Sequence, residues 1–315
     1  MPIVIAGNKI DTRGIDMTNP HLEDQIVPLM SRHRELETCV EASAKTLTNV
    51  SEVFFFAVKA VLHPTAVLYD SRDHTLRPEC MKALRRIFRI CDTDFDGHLS
   101  DEELSAFQVR VFKQPLSDEE LDSIKETIRE GAGPNGVDED LGVTEEGFLY
   151  LNLLFIQRGR LEMTWSVLRA FDYDDMLELD WQKALSAKID YNYSLRFTDE
   201  GIKFLASLFI RSDVDIDGGL SQSELYDLFS TTPGDPWTEM WNFPENVEVD
   251  QNGNVSLQGF LAQWNLFLME DPSGALFYLV HLGATDLQKL VENVEPSDGL
   301  FSKTTVKERK IFKVA

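Results

Sequence analysis

At 315 residues the chain has room for two or three domains of about 150 residues each, and 43% hydrophobic with 27% charged residues excludes a disordered or fibrous protein. Asp and Glu number 54 against 30 Lys and Arg, a net charge of −24, which excludes a nucleic-acid surface, because phosphate contacts need clustered Lys and Arg. The acidic excess falls between residues 64 and 300 and points to cations as partners. No apolar run reaches the length of about 18 residues that a membrane span needs, the best being Phe148 to Ile156 with Asn152 inside it. The opening MPIVIAGNK lacks the basic head and apolar length of a signal peptide. Cys39, Cys80 and Cys91 have neither disulfide-framework nor zinc spacing, so a reducing compartment is expected.

In chain order, Ile3 to Ala6 is a short apolar, β-branched run, the pattern of a parallel strand buried on both faces. A second strand is expected over Thr38 to Ala42, with a helix around Val27 to Arg34 before it, where Pro28 suits the first turn. After it, Val50, Val53, Phe54, Ala57, Val58 and Val61 follow a helical period that stops near Pro64. Two strands and two helices make half of a doubly wound sheet.

The loops after the two strands read Asn8-Lys9-Ile10-Asp11 and Ser43-Ala44-Lys45. In this order and on these elements they resemble the guanine-recognition motifs of small GTPases. A carboxylate such as Asp11 can accept from both the ring N–H and the exocyclic amine of guanine, a donor pair that adenine lacks. The resemblance implies that Asn8 ties the loops together, Lys9 packs over the base, and the Ser43 to Lys45 backbone meets the guanine carbonyl. No G-x-x-x-x-G-K-[ST] phosphate loop occurs in the sequence, so no catalytic residues are assigned.

Residues 92 to 103 read DTDFDGHLSDEE and residues 213 to 224 read DVDIDGGLSQSE, each matching the twelve-position calcium loop of an EF-hand. In the first, Asp92, Asp94 and Asp96 supply oxygens, Gly97 makes the sharp turn, the His98 carbonyl is the seventh-position ligand and Ser100 holds a water. Glu103 closes the shell with two oxygens, which favours Ca²⁺ over octahedral Mg²⁺. In the second, Asp213, Asp215, Asp217, the Gly219 carbonyl, Ser221 and Glu224 repeat the set. The flanks repeat as well: Met81, Leu84, Ile87 and Phe88 precede the first loop, and Ile202, Leu205, Leu208 and Phe209 precede the second, as apolar stripes of entering helices. Leu104 and Phe107 correspond to Leu225 and Leu228 on the exiting side.

EF-hands pair, and a degenerate loop succeeds each good one. Gly136 to Gly147 carries Asp138 and Asp140, and Glu248 to Gly259 carries Asp250 and Asn252, but Gly147 and Gly259 stand where the bidentate Glu belongs. Both are read as metal-free partners that contribute Val143 and Val255 to a short strand pairing. An amphipathic stretch trails each pair, with Trp165, Leu168 and Phe171 in the first half and Leu276, Leu279, Val280 and Leu282 in the second. The alternatives are a helix lying in the groove of its own EF-hand pair, as target peptides do, or an ordinary core helix.

The whole arrangement resembles the mitochondrial Rho GTPases, the Miro family, and the stretches SEVFFFAVKAVLHPT, GFLYLNLLFIQRGRLEMTWSVLRAFDYDD and GFLAQWNLFLMEDP carry the likeness beyond the generic motifs. The expected fold is mainly α: two tandem EF-hand pair modules with trailing ligand-mimic helices, preceded by an incomplete α/β half-domain of the P-loop GTPase type. The expected divisions are residues 1–64 for the GTPase part, 65–185 and 186–300 for the two modules, and 301–315 for a linker and the start of a second GTPase domain at KERKIFKVA. Set against the family's plan, the sequence is expected to be a fragment without the front of the first GTPase domain, the second GTPase domain and the C-terminal anchor. The resemblance implies two Ca²⁺ sites here, with GTP and Mg²⁺ only in a complete family member. It implies motor adaptors and mitochondrial quality-control proteins as partners, and the cytosolic face of the mitochondrial outer membrane as location, with no nucleic-acid or membrane contact from this chain alone. Two other functions compete with a calcium-binding regulatory segment: an active GTP hydrolase, which needs a phosphate loop upstream, and a free-standing soluble EF-hand sensor or buffer.

Overall fold

The computed structural model describes residues 2–12, 26, 28–29, 32–33, 36–70, 73–184, 194–237, 243–244 and 246–294. The helix expected over 27–34 lies largely outside these residues, and the strand-like end at 307–315 wholly so. Strands β1 (Ile3–Gly7) and β2 (Leu36–Glu41) pair in parallel, Val4 beside Thr38 and Gly7 beside Glu41. Helix α1 (Val50–Leu62) packs on both strands. The expected burial of β1 on both faces is not met among the described residues: Ile3 is exposed and Val4 and Ile5 are half-buried. Among the described residues one helix covers one face of a two-stranded sheet, and α1 itself leaves Phe54, Phe55, Val58 and Val61 exposed.

The α/β part is fastened at its last turn to the helical module C-terminal to it. Trp165 Nε1 donates to the Pro64 carbonyl over 3.2 Å, Lys59 Nζ donates to the Gly159 carbonyl over 2.6 Å, and Arg169 donates to the carbonyl of Leu62. Carbonyls at a helix end have no partner within the helix, so the Arg169 side chain satisfies that of Leu62, and Trp165 holds the chain two residues beyond the end of α1.

The first module begins with the hairpin of β3 (Tyr69–Asp70) and β4 (Thr75–Leu76). Helix α2 (Pro78–Cys91) starts on a proline, whose missing N–H costs nothing in a first turn, and buries Cys80, Ala83, Leu84, Ile87 and Phe88 along one face. The chain continues through β5 (His98–Leu99), α3 (Asp101–Phe112), α4 (Asp118–Ala132), β6 (Val137–Asp138), β7 (Gly142–Thr144), α5 (Glu145–Gln157) and α6 (Leu161–Ala170). Helices α3 and α4 each open with a reciprocal Ser/Glu capping box, Ser100 with Glu103 and Ser117 with Glu120. The expected strand pairing is present, Leu99 opposite Val143. Trailing helix α6 packs against α2, α3 and α5, with Trp165 and Leu168 fully buried and Phe171 nearly so. Phe107 links it to the loop helices, edge-on to Phe148 at 5.4 Å and stacked on Phe171 at 6.4 Å.

The second module repeats the loop pairing and the trailing helix of the first; among the described residues it has no counterpart of the β3/β4 hairpin or of α4, and it adds a short helix and a ladder that joins its two ends. Strand β8 (Ser194–Phe197) leads into α7 (Asp199–Ser212), β9 (Gly219–Leu220) and α8 (Gln222–Leu228), then β10 (Val255–Ser256), α9 (Leu257–Glu270), α10 (Pro272–His281), the short α11 (Leu287–Leu290) and β11 (Val291–Val294). Leu220 pairs with Val255 as expected. The ladder is antiparallel and pairs β8 with β11, Phe197 opposite Val291. In the core, Trp237 sits 5.0 Å from Phe229, 5.5 Å from Phe260 and 5.6 Å from Trp264. Leu276 and Leu279 of α10 are fully buried in the same cluster as Leu205, Leu208, Leu225 and Phe260. Helix α10 packs on α9 and on the 3-10 turn Trp181–Ala184, where Trp181 meets Phe277 edge-on at 5.7 Å.

A leucine at 0% exposure has no room to relax when truncated. Leu279→Ala is therefore expected to destabilise the second module by about 2–5 kcal/mol in denaturant unfolding. A loss of about 0.5 kcal/mol or less is the signature of a surface helix and would place Leu279 outside the core.

Candidate metal centres

Helix α2 ends at Asp92, whose N–H still donates to the Phe88 carbonyl over 2.9 Å. The loop then turns sharply at Phe95 and Gly97, with φ of 66° and 82°. Glycine adopts that left-handed region without a Cβ penalty, and the turn brings the Gly97 N–H to 3.2 Å from Asp92 Oδ2. The second loop does the same: Gly218 has φ of 85° and donates to Asp213 Oδ2 over 3.0 Å. One oxygen each from Asp92, Asp94 and Asp96 lies within 4.8 Å of the others, and the same holds for Asp213, Asp215 and Glu224.

Three carboxylates held that close repel one another unless a cation lies among them. Asp92 carries a separate cost, since it is buried and its Oδ1 has no hydrogen-bond partner. Burial pushes its carboxyl up from the ordinary Asp value, against the Arg211 charge and the amides of Gly97 and Phe95. A buried, unpartnered oxygen beside two further carboxylates fits a hard divalent cation, and both loops offer the donor set that calcium takes.

The ligand sets are not fully assembled, and each departure has a visible cause. Glu103 is not grouped with the three Asp oxygens: its Oε1 accepts from Thr93 N and Oγ1 at 2.6 and 2.7 Å, and its Oε2 from Ser100 N and Oγ at 3.1 and 3.0 Å. Burial raises the Glu103 carboxyl, but these four bonds outweigh it and hold the group below its ordinary value. Glu224 accepts from Val214 N at 2.8 Å and Ser221 N at 2.8 Å while remaining in its cluster. Asp217 is drawn off instead, its Oδ2 accepting from Asn254 Nδ2 at 2.8 Å across the paired loops. Ser100 and Ser221, expected to hold waters, act here as helix caps. His98 and Gly219, whose carbonyls are the seventh-position candidates, lie in β5 and β9.

Thr93 and Asn254 were not among the expected site residues. Thr93 is the second residue of the loop, where the motif allows anything, and Asn254 belongs to the degenerate partner. The S-x-x-E spacing of both capping boxes, in contrast, is a sequence signal.

The degenerate loops are closed by their own backbone. At Gly147 an added Cβ would lie 2.0 Å from the Gly136 carbonyl oxygen, and at Gly259 it would lie 2.2 Å from that of Glu248. Those carbonyls accept from Thr144 N at 3.2 Å and Ser256 N at 3.1 Å. The last position of each loop thus touches the first, where a metal-binding loop keeps its ion between them.

The six nucleotide-site candidates are also brought together. Asn8 Oδ1 accepts from Lys9 N at 2.7 Å and Ala44 N at 3.2 Å, so Asn8 does join the two loops. Asp11 accepts from Ser43 Oγ at 2.6 Å and faces Lys45 Nζ at 3.9 Å. Among the described residues no helix is long and apolar enough to cross a membrane.

Helix–loop–helix units paired through two-residue strands, two of them with clustered carboxylates, define a protein of the EF-hand class. Two family models described as EF hand associated match residues 114–210 and 237–309, and each spans a degenerate loop and its trailing helix. The chain is 45% identical to Mitochondrial Rho GTPase 1 of Cryptococcus neoformans var. neoformans serotype D, over 91% of its own length and 47% of that protein's. It is 43% identical to Mitochondrial Rho GTPase 2 of Arabidopsis thaliana over 90% and 43% of the two lengths, and 39% identical to that plant's Mitochondrial Rho GTPase 1 over 99% and 48%. The chain belongs to the mitochondrial Rho GTPase family and spans about half the length of the curated relatives it matches.

Because Gly147 is needed for a backbone contact, restoring the missing acid should not restore a metal site. Gly147→Glu is expected to lower the melting temperature and to leave calcium stoichiometry, measured by calorimetry, unchanged. An additional calcium site in that variant would show that the loop is open.

Proposed function

We propose that this chain is the calcium-binding regulatory segment of a mitochondrial Rho GTPase, holding one calcium ion at Asp92–Glu103 and one at Asp213–Glu224. The observation that carries this is the carboxylate cluster in each loop, with the Asp92 oxygen buried and unpartnered. Asp92, Asp94, Asp96, the His98 carbonyl, Ser100 and Glu103 would hold the first ion, and Asp213, Asp215, Asp217, the Gly219 carbonyl, Ser221 and Glu224 the second. Bound calcium supplies fixed positive charge that relieves the repulsion among these groups. Glu103 and Glu224 sit in the first turns of α3 and α8, so a carboxylate engaged with the ion fixes the exiting helix relative to the loop.

The remaining roles derive from the family. Asn8, Lys9, Asp11, Ser43, Ala44 and Lys45 would contact guanine, while phosphate and Mg²⁺ contacts require the groups of a phosphate loop. The complete protein would hydrolyse GTP, act at the cytosolic face of the mitochondrial outer membrane, and engage motor adaptors and quality-control proteins in mitochondrial transport. A free-standing sensor is the weaker reading, because a sensor exposes a groove to an outside peptide and both trailing helices are buried.

Calorimetry on this chain should show two calcium ions. Glu103→Gln and Glu224→Gln should each weaken their own site most. Excess calcium should stabilise the fold by about 2.7 kcal/mol per site at a hundredfold excess over the dissociation constant, and the double variant should lose that gain. Absence of calcium-dependent heat, or full stabilisation of the double variant, would contradict the assignment.

A further inference from the structure

The two calcium loops belong to different modules, yet the helices that lead into them are cross-linked by a pair of arginines. Arg89 lies in the last turn of α2, three residues before Asp92. Its Nη1 donates to the Asp227 carbonyl over 2.9 Å, and its Nη2 donates to both carboxylate oxygens of Asp227 over 2.9 and 3.0 Å. Asp227 is on α8, one turn beyond Glu224, so the entering helix of the first site is clamped to the exiting helix of the second. Arg211 makes the reciprocal link from α7, two residues before Asp213. Its Nη1 donates to the Arg89 carbonyl over 2.7 Å, and its guanidinium lies over the ring of Phe95, inside the first loop, 5.5 Å from the centroid.

Neighbouring contacts make this a built junction. Arg86, on the same helix as Arg89, is buried and donates to the carbonyls of Val280 and His281 at the end of α10, over 2.6 and 2.8 Å. Burial, and then the charge of Arg89, lower Arg211 to about 10, well within the range where it remains a cation at neutral pH. Each of these groups is a donor with a fixed fork, the geometry that transmits position and not merely charge.

We propose that Arg89 and Arg211 are positioning residues that couple the two calcium sites, so that filling the second site raises the affinity of the first. The inference rests on the calcium reading above. Calcium engaged by Glu224 fixes the first turn of α8 and with it Asp227. A fixed Asp227 holds Arg89 and the end of α2, so the first loop has less ordering left to undergo when its own ion arrives. Two sites that share one ordering cost bind cooperatively without any large change of shape, and by linkage the effect is reciprocal.

The test is a calcium titration of the full chain monitored through the amide signals of Gly97 and Gly218, whose N–H groups report the two loops separately. Glu224→Gln should shift the Gly97 midpoint to about fivefold higher calcium, the lower end of the usual coupling range. Asp227→Ala removes the carboxylate clamp at an exposed helical position that accepts alanine, and in its presence Glu224→Gln should move the Gly97 midpoint by less than about twofold. Asp227→Glu keeps a carboxylate for Arg89 and should restore the shift, which a purely structural role for Asp227 would not predict. A Gly97 midpoint that ignores Glu224→Gln, or a full shift that survives Asp227→Ala, overturns the coupling. If calcium moves neither glycine signal, the calcium reading itself fails, and the coupling with it.

Discussion

Each EF-hand pair has an apolar core to complete, and in both modules a trailing helix of the same chain contributes to it. Trp165 and Leu168 in the first module, and Leu276 and Leu279 in the second, are fully withdrawn from solvent. Each such side chain contributes about 1.5–3 kcal/mol relative to exposure. A covalent tether adds an effective concentration that reaches the millimolar range. Calcium can shift this arrangement only by the difference in its affinity for the docked and undocked forms, so burial of the trailing helices opposes a calcium-driven opening. The same helices carry the junctions: α6 donates to the Leu62 carbonyl at the end of α1 and to that of Pro64 beyond it, and the end of α10 receives Arg86 from α2.

Within each module the paired loops divide the work. One concentrates carboxylates around a space for a cation, and its partner closes on itself so that only the strand contact remains. The closed loops still influence the open ones, because Asn254 holds Asp217 and Val143 fixes Leu99.

The clustering of carboxylates in the two loops was legible in the sequence, because the spacing of Asp92, Asp94 and Asp96 around Gly97 makes the turn that gathers them a local feature. The helical stripes around Leu84 and Leu205 and the pairing of Val143 and Val255 with the good loops were legible for the same local reason. The nearness of Asn8 to Ala44 came from motif order on adjacent strands. In the sequence Gly147 and Gly259 are simply missing ligands, whereas the structure shows a backbone contact that leaves no room for a side chain; that contact depends on folding and leaves no periodic trace. The ladder between β8 and β11 joins two four-residue segments far apart in sequence, too short to announce a partner. Arg89 and Arg211 look like ordinary basic residues near helix ends, and only packing of the modules gives them Asp227 and Phe95.

The most direct test of this account compares the chain with calcium and with chelator by small-angle scattering, with hydrophobic-dye binding recorded on the same samples. A calcium-stabilised scaffold with buried trailing helices keeps its radius of gyration and binds little dye in either state. A clear change of radius, or dye binding that rises with calcium, would mean that the trailing helices leave their cores and that the molecule opens as a switch.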